Sequence, residues 1–177
     1  MKALVVYESM YGNTHLVADA IAAGWRDAEG DAEVVPVSDA TPQRLEGVEV
    51  LVVGGPTHVH GISRPSTRKA AVEAAKQPDA GLELEPDAAG PGLRDWFDDM
   101  GALPARAAAF DTRMDASPAL TGRASKGIAK RLRKHGCTLL AEPESFLVTK
   151  ENHLVADEEE HAREWGARLA AAFVGVA

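Results

Sequence analysis

Valine-rich segments that alternate with amphipathic ones limit the folds open to this chain. Residues 3–7 and 48–54 are continuous apolar runs, which is typical of strands buried on both faces of a parallel sheet. Between the two runs, apolar residues recur at helical spacing from Leu16 to Gly24. Weaker strand patterns occur at residues 33–37 and 107–111. A last strand covers residues 138–141 and 145–149 and is interrupted at Pro143.

The remaining helical patterns lie between and after these strands. They cover residues 66–75, 93–100 and 123–135. A last helix follows, and Asp157 and Glu160 are predicted to form a capping box at its start. Five strands and about five helices predict an α/β fold, a three-layer sandwich in which helices cover both faces of a five-stranded parallel sheet. At 177 residues the chain is expected to form one domain, residues 1–177.

One segment does not fit this alternation of strands and helices. Residues 77–92, QPDAGLELEPDAAGPG, are rich in glycine, proline and acidic residues, and they predict a long surface loop. Loops of this length are uncommon in compact domains unless they are functional or disordered.

Charge and cysteine content argue against several classes of function. A formal net charge of −8 disfavours binding to nucleic acid or to anionic membranes, and the basic residues 126–134 are interpreted as a solvated helix face. No apolar run reaches membrane-spanning length and the N-terminus lacks the features of a signal peptide, so a cytoplasmic location is expected. The single cysteine, Cys137, excludes an internal disulfide and a cysteine metal cluster.

The turn after the first strand, ESMYGNT, has the composition of an anion site. It precedes a helix, whose N-terminus offers unpaired N–H groups, and Gly12 allows a close approach or a positive φ. Ser9, Asn13 and Thr14 add neutral donors, while no Lys or Arg is present in the turn. The turn is neither a Walker A sequence nor GxGxxG. The alternative is that Asn13 or Thr14 simply caps the helix.

The stretch VVYESMYGNT resembles the FMN phosphate loop of flavodoxins and related flavoproteins. Their pattern is roughly [S/T]-x-[T/Y]-G-x-T, on which Ser9, Tyr11, Gly12 and Thr14 fall. The resemblance implies strand order 2-1-3-4-5, with FMN at the switch between strands one and three. The phosphate-binding residues that it implies are Ser9, Met10, Tyr11, Gly12, Asn13 and Thr14.

Two further loops match the positions at which this family holds the flavin ring. After strand three, GGPTH resembles the family's G-[S/T/G]-P-T turn, with residues 54–56 forming the turn and Gly61 placed for a peptide flip toward flavin N5. The implied ring contacts here are Pro56, Thr57, His58, Val59, His60 and Gly61. After strand four, the implied contacts are Asp111, Thr112 and Arg113.

The second ring loop departs from the family pattern, because no aromatic residue stands between Asp111 and the next helix. Backbone contacts are therefore expected to hold the ring on that side. A cation near flavin N1 stabilises the anionic reduced ring, so Arg113 is expected to make bound FMN less reducing than in a typical flavodoxin. The alternative for Arg113 is a surface salt bridge. His58 and His60 lack a third ligand nearby in sequence, so no metal site is predicted.

The resemblance implies an FMN protein that transfers electrons to a redox partner protein or a small redox substrate. One alternative is an NAD(P)H- or quinone-dependent oxidoreductase of the same fold, with His58, His60, Arg64 and Arg113 facing the substrate. Another is a relative that has lost its flavin. A phosphorylation-dependent receiver domain would need an acidic cluster, for which Glu8 and Asp111 are the obvious pair. No catalytic side chain is predicted, since the motifs of a nucleophile elbow, a zinc protease and a P-loop are all missing.

Overall fold

The computed structural model describes residues 1–175 and contains one sheet flanked by helices. In chain order the strands are β1 (Lys2–Tyr7), β2 (Asp31–Pro36), β3 (Val50–His58), β4 (Gly61–Ile62), β5 (Arg106–Met114), β6 (Thr138–Leu139) and β7 (Glu144–Val148). The helices are α1 (Asn13–Asp27), α2 (Pro65–Ala75), α3 (Leu93–Asp99), α4 (Pro118–Thr121), α5 (Ala124–Lys134) and α6 (Glu158–Val174). Two short 3₁₀ turns, Val37–Asp39 and Pro42–Leu45, follow β2.

The parallel strands lie in the order β2-β1-β3-β5, and β6 and β7 both pair with the outer side of β5. The last two strands therefore occupy one position in the sheet and are separated at Pro143. The predicted order 2-1-3-4-5 and the interrupted last strand are both confirmed. The extra strand β4 pairs antiparallel with β3 and forms a short hairpin.

The sheet is buried on both faces, which explains why its central strands are continuous apolar runs. One core lies between the sheet and the helices α1 and α6, and it includes the fully buried or nearly buried rings of Trp25, Phe110 and Trp165. The opposite core lies against α3 and α5 and includes Phe97 and Ile128. The predicted three-layer α/β sandwich is confirmed.

Helices α1 and α6 pack against each other backbone to backbone. A Cβ atom at Gly24 would overlap the carbonyl group of Arg163, and one at Gly166 would overlap the carbonyl group of Ile21. Only glycine permits this approach at either position. The contact fixes α6, and the chain that leads into it, relative to the start of α1.

Three details of the sequence prediction are wrong. Residues 54–56 are not a turn, because β3 continues to His58 and pairs with β5 as far as Pro56 and Thr112. Strand β5 likewise extends beyond residue 111 to Met114. Asp157 precedes α6 but has a positive φ of 68°, and its side chain forms no capping hydrogen bond.

No helix within residues 1–175 is both long and apolar enough to cross a membrane.

Candidate functional site

A cavity of about 340 Å³ opens at the carboxyl edge of the sheet, where the chain leaves β1, β3, β5 and β7. We call it the edge cavity. It lies at the reversal of strand order, the position at which open parallel sheets bind ligands. Its lining residues are Ser9, Met10, Tyr11, Asn13, Thr14, Pro56, Thr57, His58, Leu82, Thr112, Arg113, Met114, Val148, Thr149, Lys150 and Asn152.

The turn after β1 brings an uncapped helix end to the edge cavity. Gly12 is the N-cap residue of α1 with φ 93°, and it forms no side-chain cap. The N–H groups of Asn13, Thr14 and His15 have no acceptor within residues 1–175. The alternative that Asn13 or Thr14 caps α1 is therefore wrong. Free N–H groups at the positive end of a 15-residue helix are suited to an anion.

The side chains of this turn hold it in shape. The hydroxyl oxygen of Ser9 accepts a hydrogen bond from the N–H group of Gly12, at 3.1 Å. The phenol of Tyr11 donates to the carbonyl oxygen of Ala71 in α2, at 2.8 Å. Burial raises the pKa of this phenol, so it remains a donor at neutral pH. The turn is thus fixed both internally and to α2.

Three hydrogen bonds connect the start of α1 to other parts of the cavity wall. The hydroxyl oxygens of Thr14 and Thr112 lie 2.7 Å apart and are buried. The side-chain amide of Asn13 donates to the backbone oxygen and to the Oδ1 atom of Asn152, both at 3.0 Å. The first turn of α1 is therefore joined to the end of β5 and to the segment that follows β7.

The β3–β4 hairpin supplies the wall predicted from GGPTHVHG. Pro56, Thr57 and His58 line the edge cavity. Val59 and His60 form the hairpin turn with φ values of 45° and 70°, and Val59 is 81% exposed. Gly61 follows in β4, so these last three residues of the prediction lie outside the cavity lining.

The half-buried His58 is held neutral at physiological pH. Burial lowers the pKa of its imidazole, and the nearby Arg68 lowers it further, while Glu8 opposes both effects. Its Nδ1 atom lies 3.4 Å from the hydroxyl oxygen of Thr67. His58 is thus a neutral group in the wall of the cavity.

The three residues predicted at the end of β5 have separate roles. Thr112 and Arg113 line the edge cavity. Asp111 is fully buried outside the lining, where its Oδ2 atom accepts from the N–H group of Ser125 at 2.7 Å. This bond holds the start of α5 against the sheet.

Arg113 makes hydrogen bonds to its own loop. Its guanidinium donates to the carbonyl oxygens of Met114 and Ala116, at 3.3 and 2.7 Å, and its buried Nε atom has no partner within residues 1–175. Over the same residues it forms no ion pair, so the alternative of a surface salt bridge is not found. An unpartnered buried N–H group in a cavity wall can donate a hydrogen bond to a ligand.

The long loop of residues 77–92 packs against the turn after β1. The N–H group of Glu85 donates to the carbonyl oxygen of Met10 at 2.9 Å, and its carboxylate lies 3.0 Å from the Nδ1 atom of His15. The ring of His15 in turn stacks on Tyr7, with centroids 4.4 Å apart. Through Leu82, this loop also forms part of the cavity wall.

Glu8, the other carboxylate considered at this edge, belongs to a buried network behind the cavity. Its oxygens accept hydrogen bonds from the hydroxyl of Ser63 and from the N–H group of Leu93, the latter at 2.9 Å. Arg68 donates to Ser63 at 3.3 Å and pairs with Asp95 at 2.9 Å. The network ties the end of β1 to α2 and α3. Glu8 and Asp111 therefore serve different parts of the scaffold and do not form an acidic cluster in the cavity.

Six lining residues were not predicted, namely Leu82, Met114, Val148, Thr149, Lys150 and Asn152. Met114 directly follows a predicted residue, and a longer β5 would have included it. The others come from the loop of residues 77–92, from the end of β7 and from the segment after it, and they match no local motif. Lys150 changes the chemistry of the site, since Arg113 and Lys150 are the two charged residues of the lining and both are cations.

Among residues 1–175, no three His, Cys, Asp or Glu side chains converge as metal ligands.

Comparison with known proteins places this geometry in context. The family model described as flavodoxin matches residues 5–89. Oxidised flavodoxin 1 from Bacillus cereus is 22% identical, with a TM-score of 0.64 over 97% of this chain and 98% of that chain. A flavodoxin from the domain Archaea is 20% identical, with a TM-score of 0.62 over 97% of each chain.

A flavodiiron core from Synechocystis also matches, at 15% identity and a TM-score of 0.64. All of this chain aligns with it, but only 37% of that longer chain is covered. No curated protein sequence matches the chain significantly. At these sequence identities, the likeness to solved structures is one of fold. Residues 5–89, which the family model matches, include the turn after β1 and the β3–β4 hairpin.

Proposed function

Because the chain belongs to the flavodoxin family, by the match of residues 5–89 and by its fold, we propose that it binds FMN in the edge cavity and transfers electrons. The observation that carries this proposal is the uncapped N-terminus of α1 at the cavity. This half-buried helix end has no cap, so its N–H groups must be satisfied by water or by a ligand in the cavity. A phosphate monoester has the charge and the acceptor oxygens to do so.

The residues present fit the phosphate end of FMN. Ser9 offers a hydroxyl donor beside the free N–H groups of Asn13, Thr14 and His15, and Gly12 adopts the positive φ that the turn requires. The side chains of Asn13 and Thr14 line the cavity and are held in place by Asn152 and Thr112. Met10 and Tyr11 complete this part of the proposed site. The cradle is fixed before a ligand arrives, which reduces the entropy that binding must overcome.

The ring of FMN would lie toward the β3–β4 hairpin and the end of β5. Pro56, Thr57 and His58 form one wall there, and Thr112 and Arg113 the other. Val59, His60 and Gly61 belong to the hairpin that would shape this end, with the peptide of Gly61 proposed for a flip toward flavin N5. Asp111 would support the site from within β5, where it holds the start of α5. When bound, FMN supplies the one- and two-electron chemistry, while the protein binds it, orients it and tunes its charge environment.

Electron transfer to a redox partner protein or a small redox substrate is the function that this site supports best. The flavin itself carries the electrons, so no acid, base or nucleophile is needed from the chain. Oxidation of the bound flavin by a partner requires only that the ring edge remain accessible at the cavity mouth.

A second candidate is an NAD(P)H- or quinone-dependent oxidoreductase. The observation in its favour is that the loop after β5 carries no aromatic side chain, so a bound ring would keep an open face toward a substrate. Addition of NADPH to the flavin-loaded protein separates the two candidates. Bleaching within seconds with turnover of a quinone identifies the enzyme, whereas slow or absent bleaching identifies a carrier.

Fluorescence titration of FMN with the apoprotein tests the shared part of the proposal. Saturable quenching of FMN emission at one equivalent is the expected result. A colourless protein that leaves FMN fluorescence unchanged would contradict the proposal and favour a relative of this fold that has lost its flavin.

A further inference from the structure

A hairpin that leads from β7 into α6 carries Lys150 to the edge cavity. The N–H group of Thr149 donates to the carbonyl oxygen of His153 at 2.7 Å, and that of Asn152 donates to Thr149 at 3.1 Å. Below this turn, the N–H group of Val155 donates to Leu147 at 3.0 Å. The hairpin is therefore closed by backbone bonds, and residues 150–152 form its tip.

The tip is held against the start of α1. Asn152 adopts a positive φ of 63°, and in this conformation both its backbone oxygen and its Oδ1 atom accept from the amide of Asn13. The close packing of α1 on α6 at Gly24 and Gly166 fixes the other end of the hairpin. Lys150 stands two residues before Asn152 and lines the cavity together with Ser9, Asn13 and Thr14.

The ammonium group of Lys150 is available for a ligand. Its side chain is exposed, and over residues 1–175 it takes part in no ion pair, unlike Lys76, which pairs with Glu73 at 2.8 Å. The chain has a net charge of −8, so a dianionic phosphate meets overall repulsion as it approaches. A cation beside the proposed phosphate site offsets this repulsion close to the bound phosphate.

We propose that Lys150 binds the phosphate group of FMN and thereby makes the site selective for phosphorylated flavin. This inference rests on the proposed function. The neutral donors of the turn after β1 hold the phosphate oxygens, and Lys150 adds a charge-assisted contact from the opposite loop. Asn152 acts as a positioning residue, because its bonds to Asn13 set the place of the hairpin tip.

The test compares FMN with riboflavin, which has the same ring but lacks the phosphate. Lys150→Gln should weaken the Kd for FMN about tenfold, the size expected for loss of one charge-assisted contact, and leave the Kd for riboflavin unchanged. The variant should also reduce the salt dependence of FMN binding. Lys150→Arg should retain most of the affinity. Lys130→Gln, which makes the same change in net charge on the exposed face of α5, should have little effect.

The outcomes separate this inference from the function on which it rests. If the native protein binds FMN and Lys150→Gln binds it equally well, Lys150 is a solvated lysine and the inference is wrong while the function stands. Equal weakening of FMN and riboflavin would also overturn it, since the effect would then be structural. If the native protein binds neither flavin, the proposed function itself fails.

Asn152→Gly provides an independent check of the positioning role. Glycine keeps the positive φ and the backbone acceptor but removes the Oδ1 acceptor. FMN binding should weaken by a few fold, less than for Lys150→Gln, with riboflavin binding unchanged. An effect on both flavins would assign Asn152 to folding alone.

Discussion

The hydroxyl oxygens of Thr14 and Thr112 lie 2.7 Å apart, both buried, in the wall of the edge cavity. Thr14 belongs to the first turn of α1, and Thr112 lies near the end of β5, 98 residues later. One hydrogen bond thus joins the loop proposed for the phosphate to the strand proposed for the ring. The two halves of the site are fixed relative to each other without a ligand, which is the arrangement expected of a preorganised site.

Thr14→Val should lower the free energy of unfolding by about 1–2 kcal/mol. Valine has nearly the same shape, but it leaves the buried hydroxyl of Thr112 without this partner. Urea unfolding at neutral pH measures the change. Thr112→Val should cost a similar amount.

The double variant tests whether the two residues act as a pair. Removing both hydroxyls should cost less than the sum of the single changes, with a coupling of about 1 kcal/mol. Strictly additive effects would show that the hydrogen bond contributes nothing. Thr138→Val, at an exposed position of β6, controls for the substitution itself.

His58 should make the protein less stable in mild acid. Burial, the largest cause, holds the pKa of the folded state below the ordinary value of 6.5, so the unfolded chain binds more protons as the pH falls through that value. The contribution of His58 is therefore complete above about pH 6.5 and is lost progressively below it. In His58→Asn, the unfolding free energy should fall less steeply between pH 7 and pH 5.

The exposed His60, two residues along the same hairpin, provides the matched control for that experiment. His60→Asn makes the same substitution at an exposed position, so the difference between the two variants isolates the effect of burying the imidazole of His58. An NMR titration of the imidazole protons reads the same property directly. A His58 resonance that titrates at or above pH 6.5 would contradict the prediction.

Val59 should be a source of backbone strain that can be relieved. A β-branched residue at φ 45° costs roughly 1–2 kcal/mol, and its side chain, 81% exposed, gains little from burial. Val59→Asn should therefore raise the free energy of unfolding by about 1 kcal/mol, because asparagine tolerates this conformation. Val174→Asn, at an exposed position near the end of α6, should give no gain. A loss of stability in Val59→Asn would refute the account of the hairpin turn.

Arg113 should raise the reduction potential of bound FMN. Arg113 lines the cavity, and a positive charge near the proposed ring position would stabilise the negative charge that the ring acquires on reduction. Arg113→Gln should lower the potential by about 40 mV, corresponding to roughly 1 kcal/mol for one electron. Redox titration of the loaded protein measures it.

Two further variants complete the redox experiment. Arg113→Lys should keep most of the native potential, because the charge remains. Arg106→Gln, at the opposite end of β5, removes an equal charge far from the cavity and should change the potential little. A potential that is unchanged or higher in Arg113→Gln would exclude the proposed effect.

The sequence predicted the sheet well because parallel strands leave a strong local signal. Strands such as β1 and β3 are buried on both faces, and their continuous valine-rich runs follow directly from that burial. The turn from Ser9 to Thr14 was found for the same reason, since the whole feature is contiguous in the chain. The structure placed most of that turn in the wall of the edge cavity.

Other features depend on long-range packing and leave no such signal. Lys150 and Asn152 lie at the cavity in a segment that is bonded to Asn13, 139 residues away from Asn152 in the chain, and no local pattern around residue 150 records this contact. The capping box at Asp157 failed for a related reason. Its residue pattern is correct, but Asp157 has a φ of 68° instead of the extended conformation of a capping residue, and its side chain forms no capping hydrogen bond.

Backbone amide NMR during titration of the apoprotein with FMN locates the bound phosphate residue by residue. We expect the amide resonances of Asn13 and Thr14 to shift strongly at one equivalent, because their free N–H groups receive the phosphate. Resonances of the β3–β4 hairpin should shift with them. Shifts confined to another surface, such as the basic face of α5, or no shifts at saturating FMN, would show that FMN does not bind in the edge cavity.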